Sequence, residues 1–235
     1  MGRRQNRMSK AKKNAGYYAA GLIEDGQVVG LGTGSTVFYM MEELSRRIQV
    51  EGLRVRGVPT SFQTEQRAIE YGIPLTTLFS DPVLDLAIDG ADQIDPSLRV
   101  IKGRGAAQTR ERTVACAAKQ FVVVADESKC VDVLSAPVPV EVIPFSLPVV
   151  TEEIRLLGGN PIVREGVKKD GPVISDNGNI ILDVSFGEIP DPELLEVKIN
   201  FLPGVVSCGI FTEFNDMTMV VIGTDEGVSV RTPEQ

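Results

Sequence analysis

The segment Val28-Val29-Gly30-Leu31-Gly32-Thr33-Gly34-Ser35-Thr36 decides the fold. A short apolar strand, Val28–Gly32, runs into a glycine-rich turn. Behind that turn Val37, Met40, Met41, Leu44 and Ile48 recur at the spacing of one helical face. Strand, tight turn and helix repeat outward from here. Val55–Pro59 predicts the next strand, and a helix follows from about Ser61 to Tyr71, ended by Gly72 and Pro74. Leu84–Asp89, Val100–Lys102 and Phe121–Asp126 read as further strands, with a helix over Thr109–Lys119. Such alternation predicts an α/β fold, a Rossmann-like, mostly parallel sheet wrapped by helices.

The rhythm changes after about residue 135. Pro137–Pro144 is rich in proline and valine and predicts a hinge leading into an edge strand. A short helix is expected over Thr151–Leu157, stopped by Gly158-Gly159. Asp176-Asn177-Gly178-Asn179 predicts a tight hairpin, and Asp191-Pro192 a helix cap. Val205–Phe211 and Met219–Gly223 complete the strands. The pattern over residues 137–210 is β-α-β-β-α-β, a ferredoxin-like split βαβ unit. The expected division is therefore 1–134 plus 211–235 for the Rossmann-like domain and 135–210 for a smaller α+β domain, a lid or subunit contact.

Composition narrows the chemistry. The chain has 235 residues, 43% hydrophobic and 24% charged, enough to bury a sizeable core. It has no histidine, which excludes every His-based triad and His-ligated metal. Its three cysteines, Cys116, Cys130 and Cys208, are too scattered for a disulfide framework or metal cluster; Cys116 and Cys130 are expected to be at least partly buried. Carboxylates are the first candidates for a base. The net charge is −8, yet residues 1–13 carry +6 through Arg3, Arg4, Arg7, Lys10, Lys12 and Lys13. The remainder is thus strongly acidic, which argues against nucleic-acid binding. The basic start reads either as a solvated terminus or as the source of a lysine, Lys12 or Lys13, for an anionic ligand. No apolar run approaches membrane-spanning length and none follows the basic start, so a cytoplasmic location is expected.

Four segments fall where ligands bind in an open parallel sheet, beyond strand carboxyl ends. Gly32–Thr36 offers bare amides and hydroxyls at a helix N-terminus, a cradle for phosphate, or else simply a tight turn. Asp89-Gly90-Ala91-Asp92 can bring two carboxylates to one pocket, or form an Asx turn with a capping aspartate. Lys102-Gly103-Arg104-Gly105-Ala106-Ala107 alternates cations with glycines and can stabilise a phosphate or developing oxyanion. Glu111 follows in the first turn of a helix, as a base near Lys102 or merely as an acid favoured by the helix dipole. Arg110 and Arg112 beside it are expected to face solvent or a subunit partner. Asp126-Glu127-Ser128-Lys129 could present Lys129 to an anion or be a solvated cluster.

Taken together, these motifs resemble those of type A ribose-5-phosphate isomerases, in the same order and spacing. Thr109-Arg110-Glu111, Pro139–Pro144 and Asp176–Asn179 add to the resemblance, which spans roughly residues 10–230. It implies interconversion of ribose 5-phosphate and ribulose 5-phosphate through an enediolate, with no metal or organic cofactor. It further implies Glu111 as the base, Asp89 and Asp92 holding sugar hydroxyls and assisting ring opening, with Gly90 and Ala91 between them. Lys102 and the amides of Gly103, Arg104 and Gly105 would face O1, O2 and the enediolate charge. Thr33, Gly34, Ser35 and Thr36 would receive substrate, Lys129 would add a contact, and Lys12 would bind phosphate. Arg104, Gln93 and Gln108 depart from the usual pattern. The partner implied is a small phosphosugar, and a homodimer or homotetramer is expected.

Two other readings compete. A non-catalytic phosphosugar-sensing module would use the cradle without needing Glu111, but the 13-residue basic start cannot form the helix-turn-helix of a regulator. A nicotinamide-dependent dehydrogenase would need a ribose-binding acid after the second strand, where Pro59-Thr60-Ser61 stands.

Overall fold

The computed structural model describes residues 10–233. Arg3, Arg4 and Arg7, on which much of the reading of the basic start falls, lie outside the described residues. The chain runs α1 (Lys10–Gly21), β1 (Val28–Leu31), α2 (Ser35–Glu51), β2 (Arg56–Pro59), α3 (Phe62–Glu70), β3 (Leu84–Gly90), β4 (Gln93–Ile94), β5 (Val100–Ile101), α4 (Gln108–Cys116) and β6 (Ala118–Asp126). It continues through β7 (Val138–Val142), α5 (Leu147–Leu156), β8 (Asn160–Val163), β9 (Ile180–Ser185), α6 (Pro192–Asn200), β10 (Val205–Cys208), β11 (Ile210–Phe211), β12 (Thr218–Gly223) and β13 (Val228–Arg231).

Six strands form the main sheet in the order β13-β12-β6-β3-β1-β2, parallel except for the edge strand β13. Both faces are covered. On β6, Val122 and Val124 pack with Met40 and Leu44 of α2, while Phe121, Val123 and Ala125 pack with Val114 of α4. This two-residue alternation is what a central strand between two helical layers requires. From β1 the chain moves outward to β2 and then crosses to β3 on the other side. The turns after β1 and β3 therefore diverge and open a crevice at the switch point.

The small unit pairs β10-β7-β9-β8, all antiparallel, with α5 and α6 joining strands in the split βαβ manner. Here several expectations are corrected. β7 is an interior strand, not an edge, despite Pro137 and Pro139. Pro139 lies at the point where β10 stops at Cys208, and its carbonyl accepts from the Gly209 amide at 2.7 Å. The Gly209 carbonyl takes the Lys102 amide instead, at 2.8 Å, so the missing proline N–H orphans nothing. The expected strand Val205–Phe211 breaks at Gly209, where a Cβ would lie 2.3 Å from the Lys102 carbonyl oxygen.

Val100–Lys102 does not join the parallel sheet. β5 pairs antiparallel with β4 and β11 in a separate three-stranded sheet. α4 stops at Cys116, and Ala118 and Lys119 extend β6 instead of the helix. α5 starts at Leu147, earlier than expected, because a proline is tolerated in a helix's first turn. Asp191 caps α6 as expected, accepting from the Leu194 amide, and Ser61 stands just outside α3 as its cap, accepting from the Thr64 amide. Among the described residues no helix is long and apolar enough to cross a membrane.

Candidate active site

Every residue expected at the site except Asp89 lines a cavity of about 340 Å³ at the switch point. Lys12 reaches it from α1, which is pressed close to its neighbours. A Cβ on Gly16 would lie 2.7 Å from the Thr36 carbonyl oxygen, and one on Gly223 1.9 Å from that of Ala11. Lys12 Nζ donates to Ser35 Oγ at 3.2 Å and stands 4.0 Å from Asp126 Oδ2. Gly34 turns the chain into α2 with φ 125°, a conformation glycine adopts freely.

A hydroxyl cluster that sequence reasoning missed lies behind this turn. Thr33 Oγ1 meets the side-chain oxygens of Thr60, Ser61 and Thr64 at 2.8–3.2 Å. Thr60 and Thr64 in turn donate to the carbonyls of Leu31 and Gly32. The signal was legible in Pro59-Thr60-Ser61, which replaces a dehydrogenase's acid with hydroxyls. Gln63 and Asp126 also line the cavity.

Asp89 departs from the expectation that both aspartates face one pocket. It is 3% exposed and turned beneath the loop, where Oδ1 accepts from the Thr33 amide at 3.1 Å and the Gly90 amide at 2.7 Å. Gly32 permits this, since a Cβ there would lie 2.3 Å from the carboxyl carbon. Asp92 does line the cavity, and its Oδ2 accepts from the Arg104 amide at 3.0 Å.

Lys102 is the centre of the charge arrangement. Its Nζ lies 3.2 Å from both Asp89 Oδ2 and Glu111 Oε2, and it donates to the Gly90 carbonyl. Lys102 is 2% exposed and Glu111 5%. Burial alone would lower the lysine, but the Asp89 and Glu111 charges outweigh it and hold the ammonium above its ordinary range. Burial and the nearby Asp89 charge push Glu111 up to about 8, against the pull of Lys102. Burial likewise raises Asp89, though Lys102 and two amides oppose it.

Helix α4 is held from behind. Thr109 in its first turn donates to Glu141, a fully buried carboxylate on β7 that also accepts from Ser175, Asn177 and Asn179. Arg112 is turned inward and not to solvent as expected, and Arg110 is half-buried. Arg110 lies over the Phe62 ring and donates to Asn177 Oδ1, while Arg112 binds Glu196, Glu213, Ser207 and two carbonyls of the β10–β11 corner. Both guanidiniums are absorbed by the small unit because it packs against this helix. Cys116 is exposed, contrary to expectation, since α4 ends there; Cys130 is half-buried.

A carboxylate whose proton is released near neutrality, an adjacent ammonium and an amide- and hydroxyl-lined anion cradle share one cleft. The fold and site together define an α/β enzyme for acid–base chemistry on a small anionic ligand. The profile of the family Ribose 5-phosphate isomerase A (phosphoriboisomerase A) matches residues 56–227. Ribose-5-phosphate isomerase A of Methanoregula boonei is 58% identical, over 96% of this chain and 94% of that relative. The solved ribose 5-phosphate isomerase A of Methanocaldococcus jannaschii has a TM-score of 0.90 at 45% identity, covering 94% of this chain and 98% of that one. A solved D-ribose-5-phosphate isomerase in complex with phospho-erythronic acid has the same TM-score at 44% identity, covering 95% and 98%. The chain belongs to the ribose 5-phosphate isomerase A family, and it is a catalytic isomerase, not a sensing module.

Proposed function

We propose that the chain interconverts D-ribose 5-phosphate and D-ribulose 5-phosphate with Glu111 as the base. Glu111 takes the proton from C2 of the open-chain aldose. The electron pair moves into the C1–C2 bond, and O1 takes up charge beside Lys102 and the amides of Gly103–Gly105. The proton returns to C1 while the O2 hydroxyl proton passes to O1, leaving a carbonyl at C2. Asp92 holds the sugar hydroxyls and assists ring opening, with Asp89 fixing the loop and Lys102 from beneath. The phosphate lies against Thr33–Thr36, with Lys12 and Lys129 as its cations. The relative solved with phospho-erythronic acid supports this, since that acid pairs a phosphate with a carboxylate bearing charge as an enediolate would.

The observation that carries the reading is Glu111 Oε2 lying 3.2 Å from Lys102 Nζ in the cavity wall. It is tested by ribulose 5-phosphate formation with EDTA present. Glu111→Gln should fold and lose ~10²–10⁴-fold in turnover; equal turnover by both proteins would move the base elsewhere. In the parent, kcat/KM should climb as pH rises through about 8, because the base works only once its proton has left.

The division into 1–134 plus 211–235 and 135–210 belongs to the same proposal, with the small domain as lid or subunit contact. Exposed apolar side chains on that unit, among them Phe145, Leu156 and Phe201, support a homodimer or homotetramer, and the cytoplasmic location expected from the sequence is part of the same proposal. A monomer by sedimentation equilibrium would remove the assembly.

A further inference from the structure

We infer that Arg164, contributed by the small unit, is a positioning residue for the isomerisation, setting the loop 103–105 so that its amides face the substrate side. Arg164 follows β8, and its own backbone is tied on both sides, to Ile181 and Val173. Its Nε and Nη2 engage the two carboxylate oxygens of Asp183 on β9. The remaining Nη1 donates to the carbonyls of Gly103 at 3.1 Å and Arg104 at 3.0 Å. A guanidinium can do this because its donors form a rigid planar fork, one side of which Asp183 holds still.

Peptide geometry converts that grip into function. The peptide bonds here are trans, so a carbonyl drawn toward Arg164 turns the amide of the same peptide to the opposite side. The Gly103 carbonyl shares its peptide with the Arg104 amide, which donates to Asp92 Oδ2 at 3.0 Å. The Arg104 carbonyl shares its peptide with the amide of Gly105, which lines the catalytic cavity. The strained position in the loop is Ala106, which carries a Cβ at φ 60°; the loop's own turn bond, Ala106 amide to Gly103 carbonyl at 2.9 Å, leaves the Arg104 carbonyl to be held from outside. Two charge-assisted bonds from Arg164 add to that turn bond at Gly103 and hold the Arg104 carbonyl. The chain of influence runs from Asp183 through Arg164 and the Gly103–Arg104 peptide to the Asp92 carboxylate, with a second branch through the Arg104–Gly105 peptide to the Gly105 amide.

The inference rests on the reading of Asp92 and the 103–105 amides as groups facing the substrate oxygens. Steady-state kinetics on ribose 5-phosphate for the parent, Arg164→Ala, Asp92→Asn and the double variant test it. Arg164→Ala is expected to lose up to ~10²-fold in kcat with KM little changed, as slight misplacement of reacting groups does. The double variant should then lose far less than the product of the two single losses, because much of the Arg164 effect passes through Asp92. Parental kcat in Arg164→Ala, or a loss that multiplies fully onto Asp92→Asn, would overturn the inference while leaving the reading of Asp92 intact. Parental turnover in Asp92→Asn would instead remove that reading, and the inference with it. Should Arg164→Ala fail to fold, Arg164→Lys carries the test. It keeps charge and stem without the fork, so reduced kcat is expected and parental kcat would overturn the proposal.

Discussion

Glu111 shows how burial can outweigh two opposing effects. It stands in the first turn of α4, where the helix dipole favours an anion, and 3.2 Å from an ammonium. Burial and the Asp89 charge nonetheless lift it from 4.5 to about 8. The folded chain therefore keeps a proton on Glu111 that the unfolded chain has already released. The stability linked to that proton is complete below about 4.5 and is lost as pH rises through about 8. Glu111→Gln abolishes this titration. Its Tm should rise relative to the parent's between the ordinary and raised values, and parallel Tm curves across that window would show that Glu111 titrates normally.

At the scale of elements, the site is assembled by close approach of pieces that local pattern does not join. Helix α1 delivers Lys12 only because Gly223, ending β12, leaves room for its backbone. Gly223→Ala places a methyl carbon 1.9 Å from the Ala11 carbonyl oxygen and must push the helix away. Overpacking of this kind costs about 1–3 kcal/mol. The variant should melt earlier and, on the proposed role of Lys12 as a phosphate cation, show a raised KM for ribose 5-phosphate, because Lys12 retreats from Ser35 and the cavity. An unchanged KM would separate α1 from substrate binding. On the other side, the hairpin Asp176–Asn179 docks onto α3 and α4. Asp176 accepts from the Phe62 amide at 2.7 Å, and Asn177 and Asn179 converge on Glu141.

Across the whole molecule, Arg112 ties α4, which carries Glu111, to the small unit. It bridges Glu196 on α6, Glu213 and the carbonyls of Cys208 and Ile210, and its guanidinium lies 4.2 Å from the Phe211 ring centroid. Arg112→Met would strand the buried Glu196 carboxylate without its cation. Losing one partner of a buried pair costs about 3–5 kcal/mol. Urea denaturation should show a loss of that order, whereas a midpoint equal to the parent's would mean the bridge is solvated and dispensable.

Much of this protein was legible in the chain itself. Alternating apolar runs and glycine turns predicted the doubly wound sheet, and Asp191-Pro192 and Asp176–Asn179 predicted a cap and a turn that are present. Such features depend on neighbours a few residues away, so local pattern carries them. The ordered motifs also placed Thr33–Thr36, Asp92, Lys102 and Glu111 around one cavity. What the chain alone left open depends on contacts between residues far apart in sequence. β7 became interior, β5 left the main sheet, Asp89 turned under the loop, and Arg110, Arg112 and Arg164 found acceptors on the other unit or its margin. No periodicity encodes which carbonyl a guanidinium will meet. Burial and polar satisfaction decide it only once the two sheets have packed, because only then does an unpaired group lose its water.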